Sequence, residues 1–306
     1  MIDDLVYDVG MNDGRDTAYY LARGYRVVAI EADPTYAEEV GGRFAEHVRS
    51  GRLVIVNAAV GRQGGRTEFF ICEENRAWNT FDRASLQRPG VKFRPIEVPV
   101  RPFEDILAEH GVPMFLKVDI EGSDHLCLEA IDPRERPRFL SWEIARLDEL
   151  FLMRDKGYNA FQLISQSTLR PLELGAARGR APGAATREAR TRVKTMLASI
   201  PGIRRAVRRA RAAVRKPGAS DRAESPVIRR VEFPGGTWEF RFGSAGPFGP
   251  DQDQRWLTAE EVAYAYLDMW LHSGPKPGEI NDWFDVHATT LPEGEAPPAL
   301  WPPRGA

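Results

Sequence analysis

The chain has 306 residues, 42% of them apolar, and a formal net charge of −2 at pH 7, with pI near 6.3. It can bury a full core as one large domain or two small ones. Cys72 and Cys127 are too few and too separated for a disulfide framework or a zinc cluster, and no run approaches the roughly 18 apolar residues of a membrane span. The chain opens on Met1-Ile2-Asp3-Asp4 without a basic, apolar leader, so a cytoplasmic protein is expected.

The first element, Leu5-Val6-Tyr7-Asp8-Val9, reads as a buried strand that runs into the turn Gly10-Met11-Asn12-Asp13-Gly14 and then a helix. A second apolar run, Arg26-Val27-Val28-Ala29-Ile30, ends on Glu31, and a carboxylate at that strand tip faces ribose hydroxyls in doubly wound sheets. Dinucleotide folds use G-x-G-x-x-G, whose second glycine lets pyrophosphate approach the helix N-terminus. Here the pattern is Gly10-x-Asn12-x-Gly14, with Asp8 before it and Asp13 inside it. Carboxylates repel a pyrophosphate and suit a cofactor with a cationic end, such as the amino group and sulfonium of S-adenosylmethionine.

Further along, strands are expected near 53–58, 114–119, 138–143 and 159–165, after those near 5–10 and 26–31. Helices are expected near 15–23, 34–48, 102–110, 123–131 and 146–156, an alternation that builds a parallel sheet. The third strand ends at Asn57 and Ala58, which the sheet order puts near an adenine. Thr67–Ile71 and Ile96–Val100 break the rhythm as extra strands around a loop, Asn75–Pro89, that reaches toward the cleft. At the end of the fourth strand Asp119 points into the same crevice as Gly10 and Glu31, with Glu121 two residues on and Glu143 closing the fifth strand. Glu121 and Asp124 also suit a helix start, where negative charge meets the backbone dipole. If a methyl group is transferred in this crevice, Asp119 lies nearest it, and Glu121, His125 or Glu143 is the candidate base, with His287 a further histidine. Asp119 with Glu143 could instead hold a divalent cation such as magnesium; no histidine or cysteine spacing supports a transition metal.

These segments resemble one family. Val6-Tyr7-Asp8-Val9-Gly10-Met11-Asn12-Asp13-Gly14, Val28-Ala29-Ile30-Glu31-Ala32-Asp33-Pro34 and Leu116-Lys117-Val118-Asp119-Ile120-Glu121-Gly122 resemble the FkbM S-adenosylmethionine-dependent methyltransferases, over about Val6 to Gln166. The resemblance implies a class I methyltransferase fold, Rossmann-like and doubly wound. It also implies O-methyl transfer to a sugar, glycan, lipid or polyketide-like acceptor. Cofactor contacts then fall on Asp8, Gly10, Asn12, Gly14, Glu31, Asn57, Ala58 and Asp119.

After Gln166 the composition changes. Between Ala176 and Arg222 stand fourteen Lys or Arg against two acidic residues, a net of +12 that leaves −14 for the rest. Val193, Met196, Leu197 and Ile200, then Ile203, Val207, Ala210 and Val214, recur at helical spacing around Pro201-Gly202. Residues 167–225 are therefore expected as a basic, partly helical or disordered insertion before the last strand, able to meet anionic lipid. No aromatic residue interleaves its arginines, which disfavours nucleic acid. Residues 228–233 and 237–242 form a hairpin whose second strand is expected to complete the main sheet, giving one domain from 1–166 and 226–290. A helix near 258–272 follows, and 291–306 is a Pro-rich tail. The alternative function is a non-catalytic module that keeps this fold and tethers a complex to membrane; an NAD-dependent oxidoreductase is third.

Overall fold

The computed structural model describes residues 1–74, 78–81, 86, 90–120, 122–172, 226–253, 255–272 and 283–297. Its strands are β1 (Ile2–Val9), β2 (Arg26–Glu31), β3 (Leu53–Asn57), β4 (Ala59–Val60), β5 (Gly65–Cys72), β6 (Phe93–Arg101), β7 (Pro113–Val118), β8 (Phe139–Glu143), β9 (Ala160–Ser165), β10 (Arg170–Pro171), β11 (Val227–Phe233), β12 (Gly236–Arg241) and β13 (Phe284–Thr289). Eight of them form the central sheet in the order β10-β9-β13-β8-β7-β1-β2-β3. From β3 to β8 the neighbours are parallel, and β13 runs antiparallel between β8 and β9. β7 is buried along its whole length, as expected of a strand covered on both faces.

The helices are α1 (Arg15–Ala22), α2 (Pro34–Arg43), α3 (Ala45–Arg49), α4 (Phe103–His110), α5 (Asp124–Ala130), α6 (Leu147–Asp155) and α7 (Ala259–His272). Asp33 caps α2 by accepting from the Thr35 N–H at 2.9 Å, with Pro34 at the first helical position. The single helix expected over 34–48 is two, parted at Phe44 (φ −109°, ψ 31°) just after the weak helix formers Gly41-Gly42. The extra strands pair as read, Thr67 opposite Val98, in a separate sheet ordered β4-β6-β5. Cys72 and Cys127 are buried free thiols.

The hairpin differs from expectation. β11 and β12 pair only with each other, and the strand that completes the main sheet is β13. Five of the six residues of β12 keep some exposure, which suits a surface ribbon, whereas all six of β13 are buried. The ribbon lies on α1. Tyr19 meets Trp238 and Phe240 with ring centroids 5.7 and 4.7 Å apart. After the ribbon, Phe248 stacks flat on Phe115 of β7 at 3.9 Å. Residues 173–225, which include all of the basic segment 176–222 and nearly all of the expected insertion 167–225, and the tail from 298 lie outside the described residues. No helix among the described residues is long and apolar enough to cross a membrane.

Candidate active site

One cleft opens beyond the carboxyl ends of β1, β2 and β7, with about 1110 Å³ of space counted to its mouth. Its floor is the turn after β1. The Gly10 and Met11 N–H groups both donate to Ile30 O, at 2.9 and 3.1 Å, which ties the turn to the end of β2. Gly10 sits at φ +80°, and a Cβ there would fall 1.9 Å from Asp119 O. Only glycine permits that approach. Glu31 braces the other side: one carboxylate oxygen accepts from the Asn12 N–H at 2.7 Å, the second from the Asp33 N–H at 2.8 Å. Burial raises the Glu31 pKa to about 7, against the pull of those two hydrogen bonds.

Beneath the floor, a row of polar side chains crosses the sheet. Asp8 is in register with Lys117, Lys117 with Ser141, Ser141 with His287, and His287 with Gln162, so all five share one face. Lys117 Nζ lies 3.0 Å from Asp8 and donates to Gly10 O at 2.7 Å, while the Thr17 hydroxyl donates to the other Asp8 oxygen at 2.6 Å. Burial disfavours the Lys117 ammonium, but Asp8, Asp119 and Asp16 outweigh it and raise its pKa. Burial holds His287 neutral, its pKa pushed down to about 3, with Arg229 adding to the shift.

The opposite wall comes from distant parts of the chain. Arg15 pairs with Asp13 at 2.9 Å and donates to Phe242 O at 2.9 Å. Asp16 accepts from the Ser244 hydroxyl and from the Ala245 N–H. Burial raises Asp16 to about 6, with Lys117 pulling it down and Asp8 pushing it up. Gln166, Phe242, Trp283 and Asp285 finish this wall, and Asn79, Thr80 and Phe81, from the loop expected over the cleft, also line it.

Of the expected site residues, Gly10, Asn12, Glu31, Ala58 and Asp119 line the cleft together. Asp8, Gly14 and Asn57 stand behind its wall. Asp8 is fully buried and already offset by Lys117, Gly14 packs on Val40 and Arg43, and the Asn57 amide donates to Glu31 O at 2.8 Å. The loop carboxylate Asp13 is likewise offset, by Arg15. His125, one residue into α5, and Glu143, in register with Asp285, do not line the cleft. His287 is sealed beneath it, 4% exposed. Glu121 lies outside the described residues. Among the described residues no group of three His, Cys, Asp or Glu side chains gathers to hold a metal.

Lys117, Asp16, Gln166, Phe242, Ser244, Trp283 and Asp285 were not anticipated as site residues. Lys117 left a signal, a charge inside the apolar run Met114–Val118. Of residues 283–287 the sequence marks only His287, and their place in the sheet leaves no local signal.

A family model, the methyltransferase FkbM domain, matches residues 8–159. No curated protein matches. A solved structure, precorrin-6y C5,15-methyltransferase from Geobacter metallireducens GS-15, is similar at 15% identity and TM-score 0.31, covering 54% of this chain and 69% of that one. The strand order, the glycine turn beneath Asp119 and the family model agree: residues 8–159 are a methyltransferase FkbM domain, in a chain with a class I methyltransferase fold.

Proposed function

We propose that the protein is an S-adenosylmethionine-dependent O-methyltransferase acting on a hydroxyl of a sugar, glycan, lipid or polyketide-like acceptor. The observation that carries this reading is the corner where Gly10 passes under Asp119 beside the Glu31 carboxylate, a cradle that any Cβ at residue 10 would fill. The residues fit the cofactor. Glu31 keeps lone pairs for ribose hydroxyls, Ile30 and Ala58 offer apolar surface to an adenine, and the Asn12 side-chain oxygen is buried without a hydrogen-bond partner. When bound, S-adenosylmethionine supplies a methyl group on a sulfonium, already activated for displacement. The protein's tasks are then to align the acceptor oxygen and to accept its proton. Asp119 is the carboxylate on the cleft wall suited to take that proton, and Glu121 is the neighbouring alternative.

Turnover to S-adenosylhomocysteine with a panel of hydroxylated acceptors tests this reading. Asp119→Asn should lower turnover by about 10²–10⁴ while leaving cofactor affinity within a few-fold. Glu31→Ala should weaken cofactor binding by roughly 1.5–3 kcal/mol in calorimetry. Unchanged affinity in the folded Glu31 variant would reject the cofactor assignment. The basic segment 176–222 we assign to reversible docking on anionic lipid, from its charge alone; failure to sediment with phosphatidylserine vesicles at low salt rejects that assignment.

A further inference from the structure

We infer that Lys117 and Asn12 form a subsite for a zwitterionic amino-acid end, in which Lys117 holds the carboxylate and Asn12 the ammonium. This rests on the methyl-transfer reading above, where that end is the methionine portion of the cofactor. Lys117 is then the residue that separates the cofactor from nucleosides without the carboxylate.

Sheet register and the glycine turn bring the two residues together. Lys117 stands opposite Asp8 across β7 and β1, and its ammonium reaches up to the turn, where it donates to Gly10 O at 2.7 Å. Asn12 lies two residues beyond Gly10. Its backbone is pinned at φ +54°, with its N–H donating to Glu31 at 2.7 Å. Both side chains line the cleft.

Each has a polar group left over. An ammonium carries three N–H donors. That of Lys117 faces Asp8 at 3.0 Å and donates to Gly10 O, which among the described residues leaves at least one donor over. Lys117 is only 4% exposed, so bulk water is a poor substitute. The Asn12 side-chain oxygen is buried without a hydrogen-bond partner. Buried donors and acceptors left unmade are costly, so a ligand here brings an acceptor for the lysine and a donor for the asparagine.

Charge decides which acceptor. Lys117 stays an ammonium, because Asp8, Asp119 and Asp16 outweigh its burial. A charged N–H makes its strongest hydrogen bond to an anionic oxygen. The ribose hydroxyls of S-adenosylmethionine are neutral, and its one anionic group is the carboxylate of the methionine end. The ammonium on the same carbon supplies the N–H that Asn12 lacks. It also leaves that end neutral overall, so the carboxylates around Lys117 do not turn it away.

Calorimetry on the full chain with three nucleosides tests the inference. These are S-adenosylhomocysteine, its decarboxylated analogue, which keeps the amine, and methylthioadenosine, which keeps neither group. The unaltered chain should bind them in that order, with about tenfold or more between the first two, the worth of one charge-assisted hydrogen bond. Asp8→Asn combined with Lys117→Met removes the ammonium without leaving a buried charge unpaired. It should weaken S-adenosylhomocysteine by about tenfold or more and change the other two by less than about twofold. Asn12→Gly, which suits the positive φ, should weaken the two amine-bearing nucleosides alike, by about five- to tenfold, and spare methylthioadenosine. A purely structural role would weaken all three nucleosides equally, and that result overturns the subsite. So does equal affinity of the unaltered chain for S-adenosylhomocysteine and its decarboxylated analogue, a comparison that needs no variant to fold. If the unaltered chain binds none of the three, the methyl-transfer reading itself falls.

Discussion

The two sides of the cleft are built in different ways. The side built on the glycine turn is assembled from neighbours in sequence, residues 10–16 and 30–36, and its loop is fixed by the protein's own contacts: Glu31 holds two backbone N–H groups and Gly10 is wedged against Asp119. The opposite side joins segments near residues 166, 242 and 283 and leaves the Gln166 amide nitrogen without a hydrogen-bond partner among the described residues. A site with its internal hydrogen bonds complete can serve many relatives unchanged. One that waits for its ligand to complete them can differ from one relative to the next.

Breaking the cofactor side should have the largest effect. Gly10→Ala cannot be accommodated, since its Cβ would overlap a backbone oxygen at φ +80°. The expected outcome is complete loss of S-adenosylhomocysteine binding in calorimetry; retained binding by a folded variant would show that the turn can move. Lys117→Met comes next, because it leaves the fully buried Asp8 carboxylate unpaired. Stability in urea should fall by about 3–5 kcal/mol, and adding Asp8→Asn should restore part of it.

The acid limb of stability sharpens the comparison further. The folded His287 pKa, about 3, is below its ordinary value, so between these values the unfolded chain binds a proton that the folded chain refuses. Stability from this group is present above pH 6.5 and is lost as pH falls. Glu31 and Asp16, raised to about 7 and about 6, act in the opposite sense and favour the folded chain as pH falls. Comparison with His287→Gln isolates the first contribution: relative to the variant, the unaltered chain should lose about 2 kcal/mol between pH 7.5 and pH 5. Identical pH profiles would mean that the imidazole reaches solvent. Ser244→Ala should have the smallest effect, about 1 kcal/mol, through loss of one hydrogen bond to the buried Asp16 carboxylate.

Most of the parallel half was legible because its signals are local. Gly10, Glu31 and Asp119 each stand at the end of an apolar run, and strand ends in a parallel sheet all face one rim. The strand completing the sheet was misread because Asp285 and His287 interrupt the apolar run of β13, while Trp238 and Phe240 make β12 look like a core strand. Their real partners, the Tyr19 ring and its neighbours on α1, can be found only once the chain is folded. The surroundings of Asp8 were hidden for a related reason. Its proximity to Gly10 was plain, but Lys117, more than a hundred residues away in sequence, is what satisfies its charge.

Arg15 and Asp16 begin the helix that follows the cofactor turn, and the same two side chains grip Phe242, Ser244 and Ala245 on the far wall. A ligand that steadies the turn therefore also steadies the wall opposite, and the two ligands share the cost of ordering the residues between them. Thermodynamic reciprocity then sets the relation between them: whatever factor a ligand at the turn adds to affinity at the wall, a ligand at the wall must return to the turn.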